Sequence, residues 1–177
     1  GGLGVLAKGS KLPIAEGKKV RAFVYWEKID DIDLSVFALK EDGTQKEFSW
    51  RTMSGQQSKA LTFSGDETSG YYGGSEYFDV NIPKVKELYP DYRYMIFCAN
   101  VYSGVNFDEC FCKAGFMLRD QEDSGQVYEP KTVRSAYLVN CANTFAYLFG
   151  IDLHTNELVW LNEARNSRLR IAGDSSL

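Results

Sequence analysis

The sequence predicts an all-β protein, an antiparallel β-sandwich of two sheets with one short helix. About nine or ten short segments are rich in β-branched and aromatic residues, and turn-forming residues separate them at intervals of about 8–12 residues. Only residues 82–90 have helical spacing, between Pro83 near the start and Pro90 at the end. The length of 177 residues is sufficient for one domain with a sizeable core.

The predicted strands follow one another along most of the chain. Residues 19–26 alternate between polar and apolar side chains, whereas residues 34–39 are apolar on both faces, which is typical of a central strand covered on both sides. An Asp-Gly turn at residues 41–44 predicts a hairpin with the next strand. The remaining strands are predicted at residues 45–50, 60–63, 77–81, 92–102, 112–119, 135–140, 144–152 and 157–162. Residues 168–172 are a candidate for one additional edge strand.

The two ends of the chain have little of the alternation between polar and apolar residues that marks a strand. Residues 1–18 are rich in Gly and Lys, so we expect an N-terminal extension or an artificial junction there. The sandwich domain is then expected to comprise residues 19–177. Both ends are abrupt, which favours a domain excised from a longer protein.

The composition argues against several classes of function. A net charge of −4 is unfavourable for a nucleic-acid partner, which selects a basic surface. No apolar run reaches the roughly 20 residues that cross a bilayer, and no signal peptide is recognisable, so we expect no direct membrane insertion. The four cysteines are too few for a disulfide scaffold. We therefore expect reduced thiols and a cytoplasmic protein.

Two acidic segments contain the residue types of a metal site. Asp31 and Asp33 point to the same side of a strand, because the side-chain period of a strand is two. The polar loop at residues 65–76 contains four glycines and three acids. Crowded carboxylates repel one another unless a cation lies between them, and a set of oxygen donors favours calcium over zinc. Acidic loops are also often simply solvated, and the residues alone leave both interpretations open.

Several short motifs occur in a distinctive order. They are Trp26, the Asp-Ile-Asp-Leu-Ser strand at residues 31–35, the Gly-Asp-Glu-Thr-Ser-Gly loop at residues 65–70, and Glu76. Residues 78–80 and 96–102 extend the set. This order resembles the TerD family of tellurium-resistance and bacterial stress proteins, in which an Asp-Leu-Asp-x-Ser strand precedes a Gly-Asp-Asn-x-Thr-Gly loop that ends in Asp-Asp-Glu.

The resemblance implies a calcium-binding β-sandwich with a cytoplasmic role in the response to stress or toxic oxyanions. Glu67 stands where the family usually has Asn, and Gly74-Ser75 replace its Asp-Asp pair, so one of the family's two calcium sites is expected to be weakened or lost. The ligands that the resemblance implies are Asp31, Asp33, Asp66, Glu67, Thr68, Ser69, Gly70 and Glu76.

We therefore expect a non-catalytic binding or scaffolding module that binds calcium ions and a protein partner. The alternative is a calcium-assisted ligand- or carbohydrate-binding module, in which Tyr71 and Tyr72 at the loop tip stack on a sugar. An enzyme is not expected, because His154 is the only histidine and lies in a predicted hairpin tip.

Overall fold

A computed structural model describes residues 9–14, 18–49, 52, 60–64, 70–101, 106–120, 133–138 and 145–165. Within these ranges, strands form two antiparallel sheets with one short α-helix, which confirms the predicted sandwich. The strands are β1 (Lys11–Pro13), β2 (Lys18–Glu27), β3 (Ile32–Lys40), β4 (Gln45–Phe48), β5 (Leu61–Phe63), β6 (Gly74–Val80), β7 (Tyr92–Val101), β8 (Phe111–Asp120), β9 (Val133–Leu138), β10 (Phe145–Asp152) and β11 (Glu157–Arg165). Helix α1 spans Ile82–Leu88, and a 3-10 turn spans Phe107–Glu109.

The two sheets enclose one main core. The first sheet has the strand order β1-β11-β10-β7-β3-β4, and the second has the order β5-β6-β2-β8-β9. Alternate residues of β2 and β3, among them Val24 and Val36, point inward and are fully buried. Removing these apolar side chains from water is the main favourable contribution to the sandwich.

Strand β3 is covered on both faces, as its sequence predicts. Its inward residues belong to the main core, whereas Phe37 and Leu39 pack on the opposite face of the first sheet. There they join a second apolar cluster that includes Cys98 and Tyr147. The predicted hairpin from β3 to β4 is also confirmed, and Gly43 in its turn has a φ of 90°, which glycine adopts without steric cost.

Helix α1 connects the second sheet to the first. The side chain of Asn81 accepts a hydrogen bond from the backbone N–H of Lys84 at 3.2 Å, which caps the helix, and Pro83 occupies the first turn. The apolar side of the helix buries Ile82 and Val85. In the described part of the chain no helix is long and apolar enough to cross a membrane.

Strands β1, β6 and β11 differ most from the sequence prediction, and β11 extends to Arg165 rather than ending at residue 162. Strand β1 lies ahead of residue 19, where the domain was expected to begin, and it pairs with β11 while Leu12 packs against the core. Three residues that include Pro13 are too few to produce a recognisable alternation. Strand β6 begins at Gly74 rather than at residue 77, because its backbone pairs with β2 as far as Trp26. The candidate edge strand at residues 168–172 lies outside the described residues.

Candidate metal centre

Three buried carboxylates meet at one end of the sandwich. One carboxylate oxygen from each of Asp31, Asp33 and Glu76 lies within 4.8 Å of the corresponding oxygens of the other two residues. These residues are only 7%, 3% and 0% exposed, respectively, so the cluster differs from the solvated acidic loop that was the alternative interpretation. The structure therefore brings together three of the eight ligands that the sequence predicted.

Glu76 reaches this cluster from the second sheet. It pairs with Val24 across β6 and β2, and cross-strand partners face the same side, so its side chain points toward the first sheet. There its Oε1 atom accepts a hydrogen bond of 3.0 Å from the backbone N–H of Leu34. Strand β4 pairs with β3 only from Val36 onward, which leaves the edge of β3 at Leu34 accessible to this carboxylate.

Asp31 and Asp33 are positioned by the turn between β2 and β3. The backbone N–H of Lys28 in this turn donates to the carbonyl of Tyr71 at 2.7 Å. The carbonyl of Asp30 accepts from the N–H of Gly70 at 2.9 Å. These two hydrogen bonds join the chain that enters β3 to the chain that enters β6, so segments 40 and 43 residues apart in sequence are held side by side.

The other predicted ligands fall into two groups. Gly70 is buried beside the cluster, but its N–H is bonded to Asp30 and its carbonyl accepts from the N–H of Gly73 at 2.9 Å. Its carbonyl oxygen keeps a second lone pair, so a role of Gly70 as a ligand stays a prediction. The remaining predicted ligands lie outside the described residues: Asp66, Glu67, Thr68 and Ser69.

The geometry of the three carboxylates fits calcium. Calcium–oxygen distances of about 2.3–2.6 Å allow two ligand atoms of one ion to be at most about 4.6–5.2 Å apart. The separations in the cluster are within that limit. Three carboxylates supply three to six oxygens, and calcium takes six to eight, so backbone carbonyls or water would complete the shell. An oxygen-only donor set suits calcium, magnesium or manganese better than zinc or copper, which prefer sites with nitrogen or sulfur ligands.

Electrostatics also favours a cation at this position. Ionised carboxylates at such short range repel one another, and the repulsion is stronger in a buried environment than in water. A divalent cation placed among them offsets two negative charges. The cluster is therefore expected to be more stable with a bound cation than without one.

The only histidine of the chain is far from the carboxylate cluster. His154 lies in the turn between β10 and β11, as predicted, and its side chain is 54% exposed. Its Nδ1 atom is 3.9 Å from Glu41, which follows the opposite end of β3. Eight residues of extended chain separate Asp33 from Glu41, a distance of roughly 26 Å. His154 therefore cannot act together with the carboxylates in one site.

Sequence reasoning identified Glu76 as a ligand but placed it in a loop. The structure corrects this, because Glu76 is an inward-facing strand residue. The same inward parity is visible in the sequence at Phe78 and Val80, two and four residues later. The hydrogen bond from the N–H of Leu34 to the carboxylate of Glu76 could not be predicted from the sequence, because it forms only where the two sheets are in contact.

Comparison with known proteins gives no match. No protein-family model matches the chain, and neither a curated protein nor a solved structure is significantly similar to it. The resemblance to the TerD family therefore stays a prediction that rests on the motifs themselves.

Proposed function

We propose that this chain is a calcium-binding module that binds or scaffolds a protein partner and is not a catalyst. The observation that carries the proposal is the convergence of three buried carboxylates, Asp31, Asp33 and Glu76, within 4.8 Å. Their separations, their oxygen-only chemistry and their shared negative charge all fit one calcium ion.

The biological setting that we propose follows from the sequence resemblance. It is a cytoplasmic stress response of the tellurium-resistance type in bacteria. The resemblance is supported by the order of the motifs around Asp31, Asp33 and Glu76, which are the residues that meet in the structure. The net charge of −4 supports a protein partner over a nucleic acid.

Calcium is expected to raise the melting temperature of the protein, and a chelator is expected to reverse the increase. A ligand that binds only the folded state at 100 times its Kd contributes about 2.7 kcal/mol to the free energy of unfolding. For a chain of this length that corresponds to roughly 5–11 °C in melting temperature. Thermal melts with calcium, with magnesium and with a chelator measure the effect, and isothermal titration measures the affinity directly.

The variant Asp33→Asn distinguishes a metal site from a structural polar cluster. Removing one charge relieves repulsion, so without calcium the variant is expected to be as stable as the unaltered protein or more stable. With calcium, most of the increase in melting temperature is expected to disappear. The exposed control His154→Ala is expected to keep the full increase. Melts that do not respond to calcium in the unaltered protein would refute the proposal.

A second candidate function is calcium-assisted binding of a carbohydrate. Tyr71 and Tyr72 are 47% and 93% exposed and form an edge-to-face pair with ring centroids 5.0 Å apart. Exposed aromatic rings are suited to stacking on a sugar, and Tyr71 is hydrogen-bonded to the turn that leads to Asp31. Binding to a glycan array with and without calcium separates this function from protein scaffolding.

A further inference from the structure

The side chain of Trp26 contacts both segments that carry the three carboxylates. Trp26 is the last inward-facing residue of β2 and is fully buried. Its indole Nε1 donates to the carbonyl of Asp30 at 3.3 Å, and Asp30 immediately precedes Asp31. In the neighbouring strand Trp26 pairs with Gly74, two residues before Glu76.

The indole ring of Trp26 fits against the backbone at Gly70 and Gly74, because neither residue has a side chain. A Cβ atom added to Gly74 would lie 2.5 Å from Cε2 of Trp26, and one added to Gly70 would lie 2.6 Å from Nε1. Both distances are shorter than real contacts, so the ring lies directly against the backbone of the turn that leads into β6. The carbonyl of Asp30 accepts hydrogen bonds from both the indole of Trp26 and the N–H of Gly70. Asp30, Gly70 and Trp26 are therefore all in mutual contact.

We propose that Trp26 is the positioning residue of the calcium site. This inference rests on the calcium-binding function proposed above. The indole fixes the chain before Asp31 by its hydrogen bond and fixes the chain before Glu76 by its contact with the two glycines. The carboxylates are then preorganised on a rigid support, and calcium binding does not have to order two independent turns.

The test compares Trp26→Phe with Trp160→Phe. Trp160 is also fully buried in the main core, but it lies on β11, three strands from β3 in the sheet, or about 14 Å away. Both changes remove an indole from the core and are expected to lower the melting temperature. Only Trp26→Phe is expected to weaken calcium binding, by about 10–100-fold, the range found when partners that orient metal ligands are changed. Isothermal titration is carried out at a temperature at which both variants are folded.

A spectroscopic measurement keeps the proposal testable if Trp26→Phe does not fold. The chain has three tryptophans, so the double variant Trp50→Phe and Trp160→Phe contains Trp26 as its single tryptophan. Terbium bound in place of calcium is expected to luminesce when this single indole is excited, because Trp26 contacts the residue next to Asp31. Displacement by calcium is expected to abolish the emission.

The outcomes separate the two proposals. Equal calcium affinity in Trp26→Phe, Trp160→Phe and the unaltered protein would overturn the role of Trp26 and leave the calcium site intact. Bound terbium without emission through Trp26 would also overturn it, because the indole would then be remote from the ion. Absence of calcium binding in the unaltered protein would overturn both proposals.

Discussion

Replacing Asp79 with Ala is expected to lower the free energy of unfolding by about 3–5 kcal/mol, the usual cost of removing one partner from a buried ion pair. Arg21 donates to Asp79 through Nε at 2.6 Å and through a terminal nitrogen at 2.8 Å. The two residues are 1% and 7% exposed. The truncation therefore removes the carboxylate that accepts two hydrogen bonds from a buried guanidinium.

Two neighbouring contacts change the expected loss in opposite directions, and the contact with Tyr77 reduces it. The guanidinium of Arg21 lies over the ring of Tyr77, 3.9 Å from the centroid, and this contact remains in the variant. Lys19 lies 3.6 Å from Asp79, so the truncation removes a second attraction as well. Chemical denaturation in urea measures the loss, provided that the dependence on denaturant is unchanged.

The matched control for Asp79→Ala is a surface ion pair. Lys84 and Glu87 lie 2.9 Å apart on helix α1, with side chains 39% and 62% exposed. Glu87→Ala is expected to cost less than about 1 kcal/mol, because solvent screens an exposed pair. Similar losses for the two variants would show that the buried pair contributes no more than a surface pair.

The sandwich could be predicted from local features of the sequence. Apolar residues on both faces of 34–39 indicated an interior strand, and the Asp-Gly turn after it indicated the hairpin to β4. A prediction from these features does not depend on which distant residues are in contact. Strand β1 lacks such features, because it is three residues long and is stabilised by its pairing with β11 rather than by its own pattern.

The candidate site could be predicted only in part, because it depends on pairing between distant strands. The alternation around Asp31 and Asp33 indicated that the two side chains face the same way. Glu76 shares the inward parity of Phe78 and Val80, but the predicted strand began at residue 77, so the sequence prediction left Glu76 in the loop. The pair of Arg21 and Asp79 depends on the register of β6 with β2, and no motif indicated it.

Gly74→Ala is expected to lower the free energy of unfolding by about 3 kcal/mol and, at the proposed calcium site, to weaken calcium binding by at least tenfold. The new methyl group would lie 2.5 Å from Cε2 and 2.7 Å from Cζ2 of Trp26. The ring is rigid and fully buried, so it cannot move aside without displacing Asp30 or the turn at Gly70. Overpacking at this point therefore alters the support of the carboxylates as well as the core. Urea denaturation and calcium titration measure the two effects.

Gly150→Ala is the matched control for overpacking in a strand. There an added Cβ would lie 3.0 Å from the terminal Cδ1 of Ile96, which can give way, and 3.3 Å from the backbone oxygen of Met95, a milder contact than the contacts at Gly74. Gly150 lies on β10, away from the carboxylates, so its variant is expected to lose less stability and to bind calcium normally. Calcium affinity that falls equally in both variants would contradict a specific role for Gly74.

A double-mutant cycle then decides whether Gly74 acts through Trp26. Phenylalanine lacks the second ring, which contains the atoms nearest to the added methyl group, so Gly74→Ala is expected to cost less stability in a Trp26→Phe background than alone. Residues in contact commonly show interaction energies of about 0.5–3 kcal/mol in such cycles. Additive losses would mean that the methyl group acts on the backbone of β6 directly. Compensation between the two changes would show that the methyl group acts through its contact with the indole of Trp26.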